Sequence, residues 1–103
     1  MDVAIRDNHR RHRYEMTVDG DLAGVVDYHL GEEQIDLLHA EVDDRFAGRG
    51  LGTTLAVFAL RDARARGLAV VPSCPFVAAV IARDPDEFLD LVPAERRGES
   101  GPA

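Results

Sequence analysis

The sequence contains no lysine and no tryptophan, and all twelve of its basic residues are arginine. Without lysine there is no Walker-type phosphate loop, whose lysine meets the terminal phosphates, and no lysine Schiff base. A single cysteine, Cys74, excludes an internal disulfide and a multi-cysteine zinc site. No apolar run approaches the roughly 18 residues of a membrane span. The opening Met1–Arg6 lacks the apolar stretch of a secretion signal. A cytoplasmic protein with no membrane partner is therefore expected.

What is present suits one globular domain. The chain has 103 residues, enough for a single core. Hydrophobic residues make up 46% and charged residues 30%, a globular rather than disordered balance. The net charge of −7 argues against nucleic acid as a partner. Charge is unevenly spread. Residues 19–44 hold nine acids and no base, whereas residues 45–66 hold five arginines and one acid. A basic segment in an acidic chain points to a local anion site. Arg61, Arg64 and Arg66 also fit a solvated helix face.

The patterning predicts a meander followed by helices. A short strand is expected over Val3–Asp7, and Tyr14, Met16 and Val18 alternate as a second. Asp19-Gly20-Asp21 is a hairpin signal, after which Leu22–Leu30 alternates again. Gly31-Glu32-Glu33 turns the chain into Gln34–Val42. Strict alternation would put Ile35, Leu37, His39 and Glu41 on one face of that strand. From Leu51 to Arg66 the apolar period is helical, and Gly67 is a helix stop. Leu68–Val71 reads as a buried parallel strand, because a helix crossover precedes it. Pro72-Ser73-Cys74-Pro75 breaks that strand. A short helix follows over Phe76–Ala82 with Pro75 at its first position, and one more turn over Glu87–Leu91. The domain is expected over 1–92, with a flexible polar tail over 93–103. The fold class is mixed α/β (α+β).

The segment Arg45-Phe46-Ala47-Gly48-Arg49-Gly50-Leu51-Gly52 runs straight into a helix. Helix N-termini carry unsatisfied N–H groups and a positive partial charge. Glycines let the backbone curl around an anion. Arg45 and Arg49 add charge, and Thr53 and Thr54 add hydroxyls. The residues fit a pyrophosphate cradle as well as they fit a plain strand-to-helix turn. They do not fit the dinucleotide fingerprint, whose third glycine would fall at Thr53.

Arg45-x-x-Gly48-x-Gly50 resembles the Q/R-x-x-G-x-G/A acetyl-CoA loop of the GNAT acetyltransferase superfamily. Together with Leu38–Val42 and Val71-Pro72-Ser73-Cys74-Pro75-Phe76-Val77, the loop resembles a small GNAT-like subfamily of about 100 residues, one compact domain. The resemblance spans about residues 3–92. It implies a truncated acyl-CoA N-acyltransferase fold in which the strands Gln34–Val42 and Leu68–Val71 splay around the pantetheine arm. Arg45 to Gly50 and Leu51 to Thr54 would hold the pyrophosphate, with Val42, Cys74 and Phe76 also on the acetyl-CoA side. The thioester would then point toward Glu41 and Cys74.

Transfer of an acetyl group to an amine needs a base, and superfamily members often use a glutamate on the strand before the loop. Glu41 stands there, with His39 two residues earlier as an alternative. Cys74, at a helix N-cap, has the placement that ionises and exposes a thiol, so it could relay the acetyl group. The tyrosine that many such enzymes carry in the following helix is missing. Tyr14 and Tyr28 lie on the meander, and Phe76 stands near the expected place. The resemblance implies acetyl-CoA as cosubstrate, no metal, and an amine acceptor such as a protein lysine, an N-terminus or a small amine. The acidic meander makes that acceptor cationic. A non-catalytic acyl-CoA-binding or regulatory module is the alternative. Monomer or weak dimer is expected. His9 and His12 belong to a solvated basic turn, and His29 to an exposed strand face.

Overall fold

In a computed structural model, the described residues are 1–96. The order is β1 (Val3–Asn8), β2 (Arg13–Val18), β3 (Asp21–Leu30), β4 (Gln34–Val42), α1 (Leu51–Ala65), β5 (Ala69–Val71), α2 (Pro75–Arg83) and α3 (Pro85–Phe88). The strands form one five-stranded sheet in the order β1-β2-β3-β4-β5. The first four are antiparallel, and β5 returns parallel to β4 after the α1 crossover. Ala94–Arg96 forms a 3₁₀ turn. The tail expected from residue 93 lies outside the described residues from 97 on. Among the described residues no helix is long and apolar enough to cross a membrane.

One face of the sheet is covered. Tyr14, Met16, Val26, Ile35 and Leu37 are all buried beneath Leu55, Ala59 and Leu60 of α1 and Val77 and Ile81 of α2. The small residues Ala56, Ala59 and Ala63 are buried too, letting α1 lie close to its neighbours. Both tyrosines send their hydroxyls to carboxylates at the edge of this core. Tyr14 donates to Asp62 and Tyr28 to Asp7, each at 2.6 Å. Arg66 pairs with both acids at 3.3 Å. Burial first, then the bond to Asp62, pushes the Tyr14 phenol far above its ordinary range. Tyr28 is raised in the same way, by burial and then by Asp7.

Pairing across the fold also places the arginines of α1. Arg61 binds Glu87 and Arg64 binds Asp90, tying α1 to the α3 end of the chain. The basic character of residues 45–66 is thus largely answered by the protein's own acids. Pro85 starts α3 immediately after Asp84 closes α2, so the turn expected at Glu87 begins two residues earlier.

Two β-bulges break the simple alternation. One falls between Met16 and Thr17, where Ala23 is extra in β3. The other matters more. Asp27 faces His39 and Tyr28 faces Leu37, which leaves Leu38 as an extra residue in β4. An added residue flips every side chain beyond it to the other face. Ile35 and Leu37 are buried, but beyond the bulge Ala40 takes the core side and His39 and Glu41 face away from the helices. The expectation that Ile35, Leu37, His39 and Glu41 share one face is corrected by this single residue.

Candidate active site

The loop after β4 is held by its own acid. The Asp43 carboxylate accepts from the Arg45 backbone N–H at 2.9 Å and caps a 3₁₀ turn over Asp44–Phe46. It also pairs with the Arg45 guanidinium at 3.2 Å. That backbone bond first, and the guanidinium second, hold the Asp43 carboxyl below its ordinary range. Arg45 lies over the Phe46 ring at 5.2 Å and Arg49 at 6.0 Å. Of the two loop arginines expected to meet phosphate, only Arg49 has no carboxylate partner among the described residues.

Gly48 and Gly50 have φ of +79° and +73°, the left-handed region that side chains rarely adopt. A β-carbon on either would meet nothing within 4 Å, so the demand is conformational and the space above them is open. Gly50 is the N-cap of α1, with no side-chain cap and no acid in the first turn. Thr54 N–H already donates to the Gly50 carbonyl. The N–H groups of Leu51, Gly52 and Thr53 precede that first helical bond, so they are donors for an anion. Gly52 serves a different purpose from the other two glycines. A β-carbon there would lie 3.2 Å from both Phe76 Cζ and Val42 Cγ2, so its hydrogen lets α1 close on α2 and β4.

The parallel pairing of β4 with β5 is short. It runs from Gln34–Ala69 to Asp36–Val71, and Cys74 N–H adds one bond to the Leu37 carbonyl at 2.8 Å. Beyond that point β5 ends and the chain enters α2. Beside the end of β4 left unpaired by β5 lies a groove of about 230 Å³ lined by Ala40, Glu41, Val42, Gly52, Leu55 and Phe76, with Val25. On the helix-free side a second hollow, of about 220 Å³, is bounded by Arg13, Leu22, Gly24, Val25, Glu41 and Asp43, with Ala23. Val25 and Glu41 line both. His39 Nε2 lies 3.6 Å from Glu41 Oε2, and both side chains are exposed.

Cys74 occupies the N-cap of α2 as expected, but its thiol is not exposed there. Only 3% of the residue is accessible, it belongs to the core, and its side chain makes no capping bond. Ser73 takes the exposed position of this turn, and the bond to Leu37 draws Cys74 under β4. Phe76 lines the groove and is exposed. Thr53 and Thr54 stand in the first turn of α1, with the Thr54 hydroxyl turned back to the Gly50 carbonyl at 3.2 Å. Ala47 lies exposed in the loop. His29 is exposed, and Tyr14 and Tyr28 belong to the core. His9 lies 3.6 Å from Asp7. Among the described residues no group of His, Cys, Asp and Glu is arranged to hold a metal.

The structure adds Val25, Gly24 and Arg13 to the residues around Glu41. Their signal in the sequence was Gly24, a glycine inside a strand, which marks close backbone approach. A β-carbon there would sit 3.1 Å from the Glu41 carbonyl oxygen.

An antiparallel meander, an uncapped glycine-rich helix start and a short parallel pair, with a groove beside the end of β4, define the class as an N-acetyltransferase fold. The chain belongs to the GCN5-related N-acetyl-transferase family, whose model matches residues 13–91. Among solved structures, the fold is similar to a ribosomal-protein-alanine N-acetyltransferase from Brucella melitensis biovar Abortus 2308. That likeness has a TM-score of 0.59 at 17% identity, over 99% of this chain and 91% of the other. No curated protein matches the sequence.

Proposed function

We propose that this acetyltransferase takes its acetyl group from acetyl-CoA and delivers it to a primary amine on the helix-free side of β4. The observation that carries the reading is the meeting of the two hollows at Glu41. On one side the groove leads to the open N–H groups of α1, which suit the pyrophosphate. The groove beside the end of β4 has room for a pantetheine arm, with Val42 and Phe76 as its apolar walls. On the other side the second hollow receives the amine.

The reaction assigned to this geometry is direct transfer. The acceptor arrives as an ammonium, and Glu41, or His39 beside it, accepts its proton. The freed amine attacks the thioester carbonyl, the C–S bond breaks, and the proton that the nitrogen sheds on becoming an amide passes through water to the departing CoA thiolate. Asp43 pairs with Arg45 and Arg13 with Glu15, which leaves Glu41 as the carboxylate of the acceptor hollow with no arginine partner, and it favours a cationic amine. A relay through Cys74 is the second reading. Its support is the position of Cys74 at the N-cap of α2.

Gly50→Val tests the cosubstrate. A β-branched residue resists φ of +73°, so CoA affinity should fall at least tenfold while the fold persists. Unchanged CoA binding by a folded variant would end the acetyl-CoA reading. Release of free CoA on mixing protein, acetyl-CoA and an amine tests the transfer itself.

A further inference from the structure

The helix-free face has opposite charges at its two sides. Register puts Arg6, Glu15, Val25 and Glu41 in one row across β1 to β4, and Arg13, Asp27 and His39 in the next. At the β3–β4 side stand Asp27 and Glu41. At the β1–β2 side Arg6 and Arg13 both bind Glu15, at 3.0 and 2.7 Å, and so neutralise it. Beyond them the hairpin Asn8–Arg13 contains no acid. Its tip carries Arg10 and Arg11, exposed and with no carboxylate partner among the described residues. With Arg6 and Asn8 they line a cleft of about 630 Å³.

Most other arginines are answered: Arg45, Arg61, Arg64 and Arg66 each hold a carboxylate. Arg49 and Arg83 stand singly without one among the described residues, whereas Arg10 and Arg11 are adjacent. The hairpin tip is also held in place. The Arg11 N–H reaches the Asn8 carbonyl and side chain. His12 adopts φ of +54°, and its carbonyl accepts from Tyr28 N–H at 2.9 Å. Guanidiniums on a fixed turn lose less freedom when they bind an anion.

We propose that the hairpin arginines Arg10 and Arg11 bind an acidic side chain of a peptide acceptor whose amine lies at Glu41. This rests on the proposed function and specifies its substrate. Three inter-strand spacings separate Arg6 from Glu41, about 14 Å at 4.8 Å each. Arg10 and Arg11 lie beyond the last paired row, about 10 Å further along the strand direction, so the hairpin tip stands about 17 Å from Glu41. An extended peptide covers that distance in four to five residues at about 3.4 Å each. The preferred acceptor is therefore an amine followed four or five residues away by Asp or Glu. A nucleic acid is disfavoured, because Asp27, Glu41 and the overall charge of −7 would repel a polyanion.

The test uses two fluorescent peptides with a free N-terminal amine, uncharged except for glutamate or glutamine at the fifth and sixth positions. Anisotropy reads binding, and CoA release reads transfer. The glutamate peptide should bind about tenfold more tightly and transfer with about tenfold higher kcat/KM. Arg10→Glu/Arg11→Glu should remove both advantages. It should leave the glutamine peptide and CoA affinity unchanged. Arg10→Gln/Arg11→Gln should lose most of the advantage with the least risk to the fold. Equal binding of the two peptides would overturn the proposal, as would an advantage that survives both variants. Tighter capture of a single-stranded oligonucleotide than of the glutamate peptide would also overturn it, and assign the hairpin to nucleic acid. Charge-dependent binding with no CoA release would leave the docking site standing and refute the proposed function instead.

Discussion

The two faces of this sheet are built from the same strands and do different work. The helix-covered face is apolar, and its polar groups, Asp7, Tyr28, Tyr14, Asp62 and Arg66, satisfy one another at its edge. The helix-free face is charged. It displays His39 and Glu41 to solvent beside a hollow that Arg13 also bounds, and carries Arg6, Arg10 and Arg11 at the far corner. Stability is concentrated where side chains are dehydrated and interlocked. Chemistry is placed where a substrate can reach. Substitutions on one face should therefore leave the property of the other nearly unchanged.

The largest separation is expected at Glu41. Glu41→Gln should slow amine-dependent CoA release by about 100- to 10,000-fold, the range of a general base. Its melting temperature should hold, because the side chain is 72% exposed. If the rate barely changes while His39→Gln abolishes it, the base is His39.

Leu37→Ala is the complementary break. Leu37 is fully buried one residue before the bulge. Its loss should cost about 2–5 kcal/mol in chemical denaturation. A cost well under 1 kcal/mol would mean that the core tolerates a cavity beneath β4.

The faces should also titrate in opposite directions. Burial raises the Glu15 carboxyl, but bonds from Arg13, Arg6 and Asn8 outweigh it and hold the group below its ordinary value. Its contribution is present above the unfolded pKa of about 4.3 and is lost as pH falls. The phenols of Tyr14 and Tyr28 are raised, so their contribution is complete below about pH 10 and is lost as pH climbs further. Melting temperature against pH should show both limbs. Glu15→Gln should flatten the acid limb. Tyr14→Phe should flatten the alkaline limb at a cost of about 1 kcal/mol near neutrality.

The smallest effect is expected at Cys74. In the direct-transfer reading Cys74→Ala turns over normally and loses about 1 kcal/mol of stability with its buried sulfur. Iodoacetamide should label the folded protein more slowly than free cysteine. An acetyl-cysteine that forms with acetyl-CoA and disappears on adding amine would reverse this, and make Cys74 the relay.

Local features were legible because they depend on neighbours in sequence. Asp19-Gly20-Asp21 turned the chain as expected, and Gly67 ended the helix in the left-handed region. Pro75 opened α2, and the apolar Leu68–Val71 run yielded the parallel strand β5. Gly48 and Gly50 were readable as backbone positions, though Gly52, with the same spacing, turned out to be a packing contact with Val42 and Phe76. Spacing cannot separate the two uses, because the difference is what approaches from outside the loop.

The sequence alone determined the order of elements, the glycine-rich helix start and the shortage of cations, since each follows from propensity, chain geometry or composition. Only the tertiary structure decided which way the strand chemistry faces. The bulge at Leu38 arises where β3 and β4 pair, and no local pattern announces it. The same holds for Cys74, drawn into the core by a bond to the distant Leu37, and for Arg61 and Arg64, whose partners Glu87 and Asp90 each lie 26 residues away. Whether a charge is free to meet a ligand depends on which other charges folding brings to it, and that is a property of the assembled sheet and helices.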